Sequence, residues 1–371
     1  MKTRPEAPLS AADVLPHCQH ILSGAGPRRT MREVLHEIAD SLDGNEYFDN
    51  YGEGDYLAAF EAEVAQLFGK EAAVFMPSGT QAQLIALRVW CGRRGNFSVA
   101  MHPTAHPEFA EHGGYHFLHG MHRLQFGAPE FAAERAPAAK DFEALGETPG
   151  CALLELPCRP LGGQLPPWDD LLALRDWAHA RGVPLHLDGA RIWSCRPFYG
   201  KSFAEVAALF DSVYVSFYKD LGGLSGAMLL GSADFIREAR VWQVRHGGRL
   251  RTQGPFIAAA RAGLQRTLPQ IDQWVARAQA AAEILSRFDA ITINPTVPQV
   301  NFFQLYIRGD AAALTARHHA LAKETGVFLF HALSPTVVPG LARTEIHCWA
   351  PAMDFDLDRL APFVERLLAD D

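Results

Sequence analysis

Two short apolar runs, each ending in polar residues that can do chemistry, constrain this chain more than any other feature. One is Val183-Pro184-Leu185-His186-Leu187-Asp188-Gly189-Ala190-Arg191. The next is Val213-Tyr214-Val215-Ser216-Phe217-Tyr218-Lys219-Asp220-Leu221-Gly222-Gly223. Their β-branched and aromatic residues read as buried strands, and a glycine-bounded helix from about Ser202 to Leu209 separates them. The same alternation continues on both sides. Strand Ala72–Met76 precedes an apolar helix from Ala82 to about Cys91, and strand Cys151–Leu156 precedes helix Trp168–Ala180, with Leu171, Leu174 and Ala178 on one face. Strand Gly226–Gly231 precedes a helix from Asp234 to about Arg245. Strand and helix units in this order predict an α/β fold: a mostly parallel central sheet flanked by helices, with ligands at its carboxyl edge.

A lysine at a strand end is costly unless it is solvated, paired or chemically used. Lys219 at one strand end and Asp188 at the neighbouring one suggest a pyridoxal 5'-phosphate site. The lysine would hold the cofactor as a Schiff base and the aspartate would face the pyridine nitrogen. Ordinary surface-turn charges account for these two residues equally well. The turn Pro77-Ser78-Gly79-Thr80-Gln81 adds a third segment. A strand, a small-residue turn and a helix aim backbone N–H groups and a helix dipole at an anion, and the Ser78 and Thr80 hydroxyls can bond phosphate oxygens. A plain N-cap at Ser78 is the simpler reading of that turn alone. All three segments fall at a sheet edge or a helix start, which favours the functional reading.

With 371 residues, 48% hydrophobic and 20% charged, the chain can bury an α/β core and a smaller domain. Its net charge of -8 argues against non-specific nucleic-acid binding. The six cysteines (Cys18, Cys91, Cys151, Cys158, Cys195 and Cys348) include no Cys-x-x-Cys pair, which fits free thiols in a reducing cytoplasm. The first eight residues lack the apolar core of a signal peptide, and no apolar run approaches the roughly 20 residues of a membrane span.

Residues 1–27 read as an N-terminal arm, 28–255 as the large domain, and 256–371 as a long helix and a small C-terminal α+β domain. Within the large domain a helix is predicted from Thr30, with Glu33 completing a capping box, to about Leu42. A glycine-broken aromatic loop (45–54) follows, which is a site, an interface or a plain surface turn. Leu57, Phe60, Val64, Leu67 and Phe68 recur at helical spacing from Tyr56, and Gly69 ends that helix. Residues 98–126 carry His102, His106, His112, His116, His119 and His122. Pro103, Pro107 and Gly113-Gly114 interrupt the helical spacing a metal site would use, so no metal is assigned, and a ring stacked on a planar cofactor is the better use of one of them. One helix is predicted from Phe256 to about Leu285, and strands near Thr292, Asn301–Ile307, Val327–Phe330 and Thr344–Trp349.

These residues together resemble the low-specificity threonine aldolases, in the β-eliminating lyase group of fold-type-I pyridoxal phosphate enzymes. The resemblance rests on His186-Leu187-Asp188-Gly189-Ala190-Arg191-Ile192, Pro77-Ser78-Gly79-Thr80-Gln81-Ala82, Ala105-His106 with Glu111-His112-Gly113-Gly114, and Lys219-Asp220-Leu221-Gly222. It runs from roughly Thr30 to Arg251 and returns at Arg343. It implies a fold-type-I transferase-like fold and a homodimer or homotetramer. It implies that Lys219 carries the cofactor, Asp188 keeps the pyridine nitrogen protonated, and Ser78, Gly79 and Thr80 cup the phosphate. It further implies that His106 stacks on the ring, that Arg191 lies near the ring oxygen and the substrate carboxylate, that Arg343 clamps that carboxylate, and that Arg251 reaches the phosphate. Planar arginine forks suit such clamps.

Two positions depart from the family pattern. Pro157-Cys158-Arg159-Pro160 stands where the family has Glu-Asn-Thr-His, and Asp220 rather than glycine follows the lysine. Arg159 is a poor general base and is expected to contact an anionic or hydrogen-bond-accepting substrate side chain, or else to pair with Glu155 or Asp188. The expected activity is retro-aldol cleavage of a β-hydroxy-α-amino acid to glycine and an aldehyde. The alternatives are β-elimination, an aminotransferase on the same fold, or a non-catalytic pyridoxal phosphate-binding protein. A dehydrogenase is disfavoured because no Gly-x-Gly-x-x-Gly follows the first strand.

Overall fold

The structure, a computed structural model, describes residues 9–126 and 135–369. The first eight residues of the N-terminal arm, and with them the signal-peptide reading, lie outside the described residues. The chain divides into two compact units, Met31–Pro269 and a second made from both chain ends, Met1–Thr30 with Gln270–Asp371.

The first strand, β1 (His20–Ile21), belongs to the unit of the chain ends. The next seven build the large unit: β2 (Ala72–Met76), β3 (Ser98–Met101), β4 (His122–Gln125), β5 (Cys151–Glu155), β6 (Leu185–Gly189), β7 (Ser212–Ser216) and β8 (Ala227–Gly231). Their order across the sheet is β2-β8-β7-β6-β5-β3-β4. The pairs from β7 to β4 are parallel, and β8 runs antiparallel to both its neighbours. The expected mostly parallel sheet is therefore present. β5, β6, β7 and β8 are buried almost throughout, as strands covered on both faces must be.

The helix Gly79–Arg94 is the element that places the site. It opens at Gly79 rather than at Ala82, because the Ser78 hydroxyl caps it, accepting from the Gln81 N–H at 3.3 Å. It ends at Gly95, whose φ of +62° suits a residue without a Cβ. Ala82, Ile85, Ala86 and Val89 pack with Val74, Tyr214 and Leu229, and each fully buried Val or Leu there contributes about 2 kcal/mol over leaving it exposed. Gly79 itself is forced: a Cβ there would fall 1.9 Å from the Tyr214 hydroxyl.

The helix expected from Phe256 to Leu285 is two helices, Gly254–Thr267 and Ile271–Leu285, separated by the 3-10 turn Leu268–Gln270. Pro269 has no N–H and its ring clashes with the preceding turn, so the alanine-rich pattern cannot run through it. The boundary between the two compact units falls at the same proline.

The unit of the chain ends contains β9 (Ile291–Asn294), β10 (Phe302–Arg308), β11 (Val327–Phe328), β12 (Ser334–Pro335) and β13 (Leu341–His347). β12-β13-β10-β9 form an antiparallel sheet, so the strands expected near Thr292, Asn301–Ile307, Val327–Phe330 and Thr344–Trp349 are present. Its core joins Phe303, Leu305 and Ile346 to Leu285, Phe363 and Leu367. The arm belongs to this unit. It carries the short helix Ala11–Val14, and β1 pairs in parallel with β11.

Candidate active site

Asp188 ends β6 with its carboxylate 2% exposed. It accepts from the Ala190 N–H at 3.1 Å and from the Gln83 side-chain amide, which the Gly79–Arg94 helix carries. Lys219 follows β7 by three residues in a turn, half-buried. Burial pushes the Lys219 amine below its ordinary value, and Asp188 opposes that shift. Burial pushes the Asp188 carboxyl up, and Lys219 followed by His106 opposes that in turn. Burial thus disfavours each charge, and each eases the cost of the other.

His106 opens the short helix His106–Phe109. Its Nδ1 donates to Glu111 Oε1 at 3.1 Å, and this bond raises its pKa against the opposing effect of burial. Asp188 and Lys219 also act on it, so these three residues share one electrostatic environment. Glu155 belongs there too. It ends β5 in register with Asp188 and is pushed up to about 8, first by burial and then by Asp188.

Arg191 and Asp220 form a buried ion pair at 3.0 Å, their side chains 11% and 0% exposed. Arg191 acts on the Lys219 amine, pushing it down. Ser78, Gly79 and Thr80 occupy the first turn of the Gly79–Arg94 helix and its cap, and Gly79 lies against Tyr214 of β7. Lys219, Asp188, His106, Arg191, Ser78, Gly79 and Thr80 therefore all sit on the sheet's carboxyl edge or on elements joined to it.

The remaining expected residues are placed differently. Arg251 is exposed, and its carbonyl accepts from the Tyr51 N–H at 2.8 Å. Arg159 begins a 3-10 turn, Arg159–Leu161, and is exposed; its backbone N–H bonds Glu155 Oε1 at 3.2 Å. Arg343 lies on β13 in the other unit, opposite Tyr306 and Ser334. Among the described residues no group of three or more His, Cys, Asp or Glu could hold a metal ion, and no helix is long and apolar enough to cross a membrane.

Sequence reasoning missed Gln83, Glu111 and the buried role of Glu155. Glu155 left a signal, a lone carboxylate closing an apolar strand. So did Gln83, a polar residue inside an apolar helix.

The donor set fits pyridoxal phosphate. A half-buried amine of lowered pKa can bond an aldehyde carbon, a buried carboxylate can hold a ring N–H, and the capped start of a helix presents backbone donors to a phosphate.

Residues 25–308 match the family described as beta-eliminating lyase. The chain belongs to that family. Among its relatives, the low-specificity L-threonine aldolase 1 of Arabidopsis thaliana is 30% identical over 290 residues, 75% of this chain and 79% of the relative. A solved structure from Listeria monocytogenes, described as a candidate L-allo-threonine aldolase, superposes with a TM-score of 0.90 at 36% identity, covering 95% of this chain and 97% of that one. A second, from Exiguobacterium sp., described as a candidate aromatic amino acid beta-eliminating lyase/threonine aldolase, gives 0.90 at 34% identity over 96% and 98%. The fold of this beta-eliminating lyase family member is the fold-type-I arrangement that the resemblance implied.

Proposed function

We propose that this protein is a pyridoxal phosphate-dependent carbon-carbon lyase that cleaves a threonine-like β-hydroxy-α-amino acid to glycine and an aldehyde. The observation that carries the reading is the half-buried Lys219 after β7 acting electrostatically on the buried Asp188 that ends the neighbouring β6, in a chain of the beta-eliminating lyase family. Bound pyridoxal phosphate would supply an electron sink for the bond broken between Cα and Cβ.

The chain's residues do the rest. Lys219 holds the cofactor covalently, and its lowered pKa leaves more of the amine unprotonated and nucleophilic. Asp188 keeps a proton on the ring nitrogen. Ser78, Gly79 and Thr80 hold the phosphate, with Arg251 assigned to the same group. His106, its ring fixed by Glu111, stacks on the cofactor. Arg191 and Arg343 take the substrate carboxylate, and Arg159 the substrate side chain. Pairing with Asp220 pre-orients the Arg191 guanidinium. We assign a homodimer or homotetramer and a cytoplasmic location, the latter in keeping with six free, buried cysteines.

The test begins with the colour of the protein. Purified protein should absorb in the visible range, and borohydride reduction should trap the cofactor on Lys219. Incubation with threonine and allo-threonine should release glycine and acetaldehyde. A label on another lysine overturns the site. Release of a keto acid and ammonia without glycine overturns aldol cleavage in favour of β-elimination.

A further inference from the structure

Behind Asp188, away from Lys219 in the hydrogen-bond order, runs a buried chain of side chains that the proposed reaction does not use. Gln83 bonds Asp188 Oδ2 through its amide nitrogen. Its Oε1 lies 2.6 Å from His186 Nε2, His186 Nδ1 lies 2.8 Å from Ser212 Oγ, and the Trp90 indole nitrogen lies 2.8 Å from the same Ser212 Oγ. Gln83, His186, Ser212 and Asp188 are each at most 2% exposed.

The geometry follows from two registers. Gln83 and Trp90 stand seven apart on one helix, hence on one face. His186 and Ser212 are paired neighbours on β6 and β7. The helix face lies on the strand pair, and the four side chains interleave.

The direction of every bond is fixed once Asp188 is ionised. A carboxylate only accepts, so Gln83 must turn its NH2 to Asp188 and its carbonyl to His186. His186 must then carry its proton on Nε2 and accept at Nδ1. Ser212 must donate to Nδ1 and accept from the indole N–H, which can only donate. Each group then gives to one neighbour and takes from the other. Burial also keeps His186 neutral, its pKa pushed down to about 3. A proton placed on Asp188 Oδ2 and aimed at Gln83 would break this order at its first bond.

We propose that Gln83, held in turn by His186, Ser212 and Trp90, is a positioning residue that aims the Asp188 carboxylate and favours its ionised form. This rests on the reading that Asp188 faces the cofactor's ring nitrogen. In this role Gln83 acts through Asp188, to which its amide nitrogen is bonded. A side-chain network satisfied at every member is rigid, and one with a member deleted leaves buried groups unpaired.

The experiment compares holoenzyme of the wild type, Gln83→Met, Ser212→Ala and Asp188→Asn. Three quantities are read: the dissociation constant for pyridoxal phosphate by equilibrium dialysis, the visible spectrum of the bound cofactor, and the thermal midpoint. Gln83→Met keeps the side chain's length and removes both hydrogen bonds. It should weaken cofactor retention about tenfold, the loss of one bond to a charged group, and shift the spectrum in the same sense as Asp188→Asn. Ser212→Ala, remote from Asp188, should do the same more weakly, and it serves alone if Gln83→Met fails to fold. In histidine-labelled protein the His186 nitrogens should show the Nε2-protonated tautomer.

A merely structural role would lower the thermal midpoint and leave the spectrum of the retained cofactor unchanged, which overturns the proposal. So does an Nδ1-protonated His186. If Asp188→Asn disturbs spectrum and affinity while Gln83→Met and Ser212→Ala match the wild type, the relay fails and the role of Asp188 stands. If Asp188→Asn itself changes nothing, the assignment of Asp188 fails and the relay with it.

Discussion

Asp220, the residue directly after Lys219, is bonded to Arg191, three residues after Asp188, at 3.0 Å and almost wholly out of solvent. This contact ties the turn after β7 to the turn after β6. It also gives the departure from a glycine at position 220 a physical meaning: the carboxylate is the counter-charge of a buried guanidinium. Removing one partner of a buried pair costs about 3 kcal/mol, whereas replacing both with apolar side chains is close to neutral. Asp220→Ala should therefore lower the unfolding free energy by about 3 kcal/mol in urea denaturation, and Asp220→Ala with Arg191→Met should recover most of it. Equal loss in the single and double variants would mean that the pair contributes nothing by its pairing.

Glu155 makes stability fall as the solution becomes more alkaline. Its folded pKa is pushed up to about 8 from the ordinary 4.5. Between those values the folded state binds more protons than the unfolded one, so the unfolding free energy decreases as pH rises through that window and levels off above about 8. Glu155→Gln copies the protonated form and removes this slope. The variant should gain on the wild type by on the order of 2 kcal/mol between pH 5 and pH 9, measured by denaturation at each pH. Parallel curves for the two proteins would contradict it.

His106 has the same sign in a different window. Its bond to Glu111 raises its pKa above the ordinary 6.5. The stability gained from that bond is fully present below pH 6.5 and is lost as pH rises through the raised folded value. Glu111→Gln should bring the His106 ring resonances back to a lower midpoint and cost about 1 kcal/mol at pH 6, with the cost fading as pH rises through the raised folded value. An unmoved midpoint would show that the proton on His106 is held by something else.

Arg159 offers a prediction about substrate choice. It stands exposed on the turn whose backbone serves Glu155, and a guanidinium there can hold an anion but cannot accept a proton. Acidic or aromatic β-hydroxy amino acids should be turned over about tenfold faster than threonine, the difference one charge-assisted bond makes, and Arg159→His should erase that ranking. Threonine turned over as fast as the best of them, with the order unchanged in the variant, would make Arg159 structural.

How much of this was legible in the sequence varied with the distance over which the information is stored. Lys219 and Asp188 could be read because each is a polar residue closing its own apolar strand, a pattern contained in one short window. The strands of both sheets were visible for the same reason. The Asp188–Gln83–His186 contacts were not, because 103 and 105 residues separate their partners and no local pattern encodes which buried polar groups will meet. Gly79 was read as part of a phosphate turn, yet the reason it must be glycine is Tyr214, on a strand far along the chain. The break at Pro269 was written plainly in the sequence and was outvoted by the alanine-rich pattern on either side of it.

The pairing of β1 with β11 also sets an order of events. Cys18 bonds the Ala322 carbonyl across 304 residues, and Val14, Leu15 and Ile21 are buried against Ala322 and Phe328. During synthesis the arm emerges before residues 31–269, and its partners emerge after them. Residues 31–269, a compact unit by themselves, can close while the ribosome is still extending the chain, but the arm's apolar residues must wait for a segment not yet made. The arm is thus made before the large unit and placed after it.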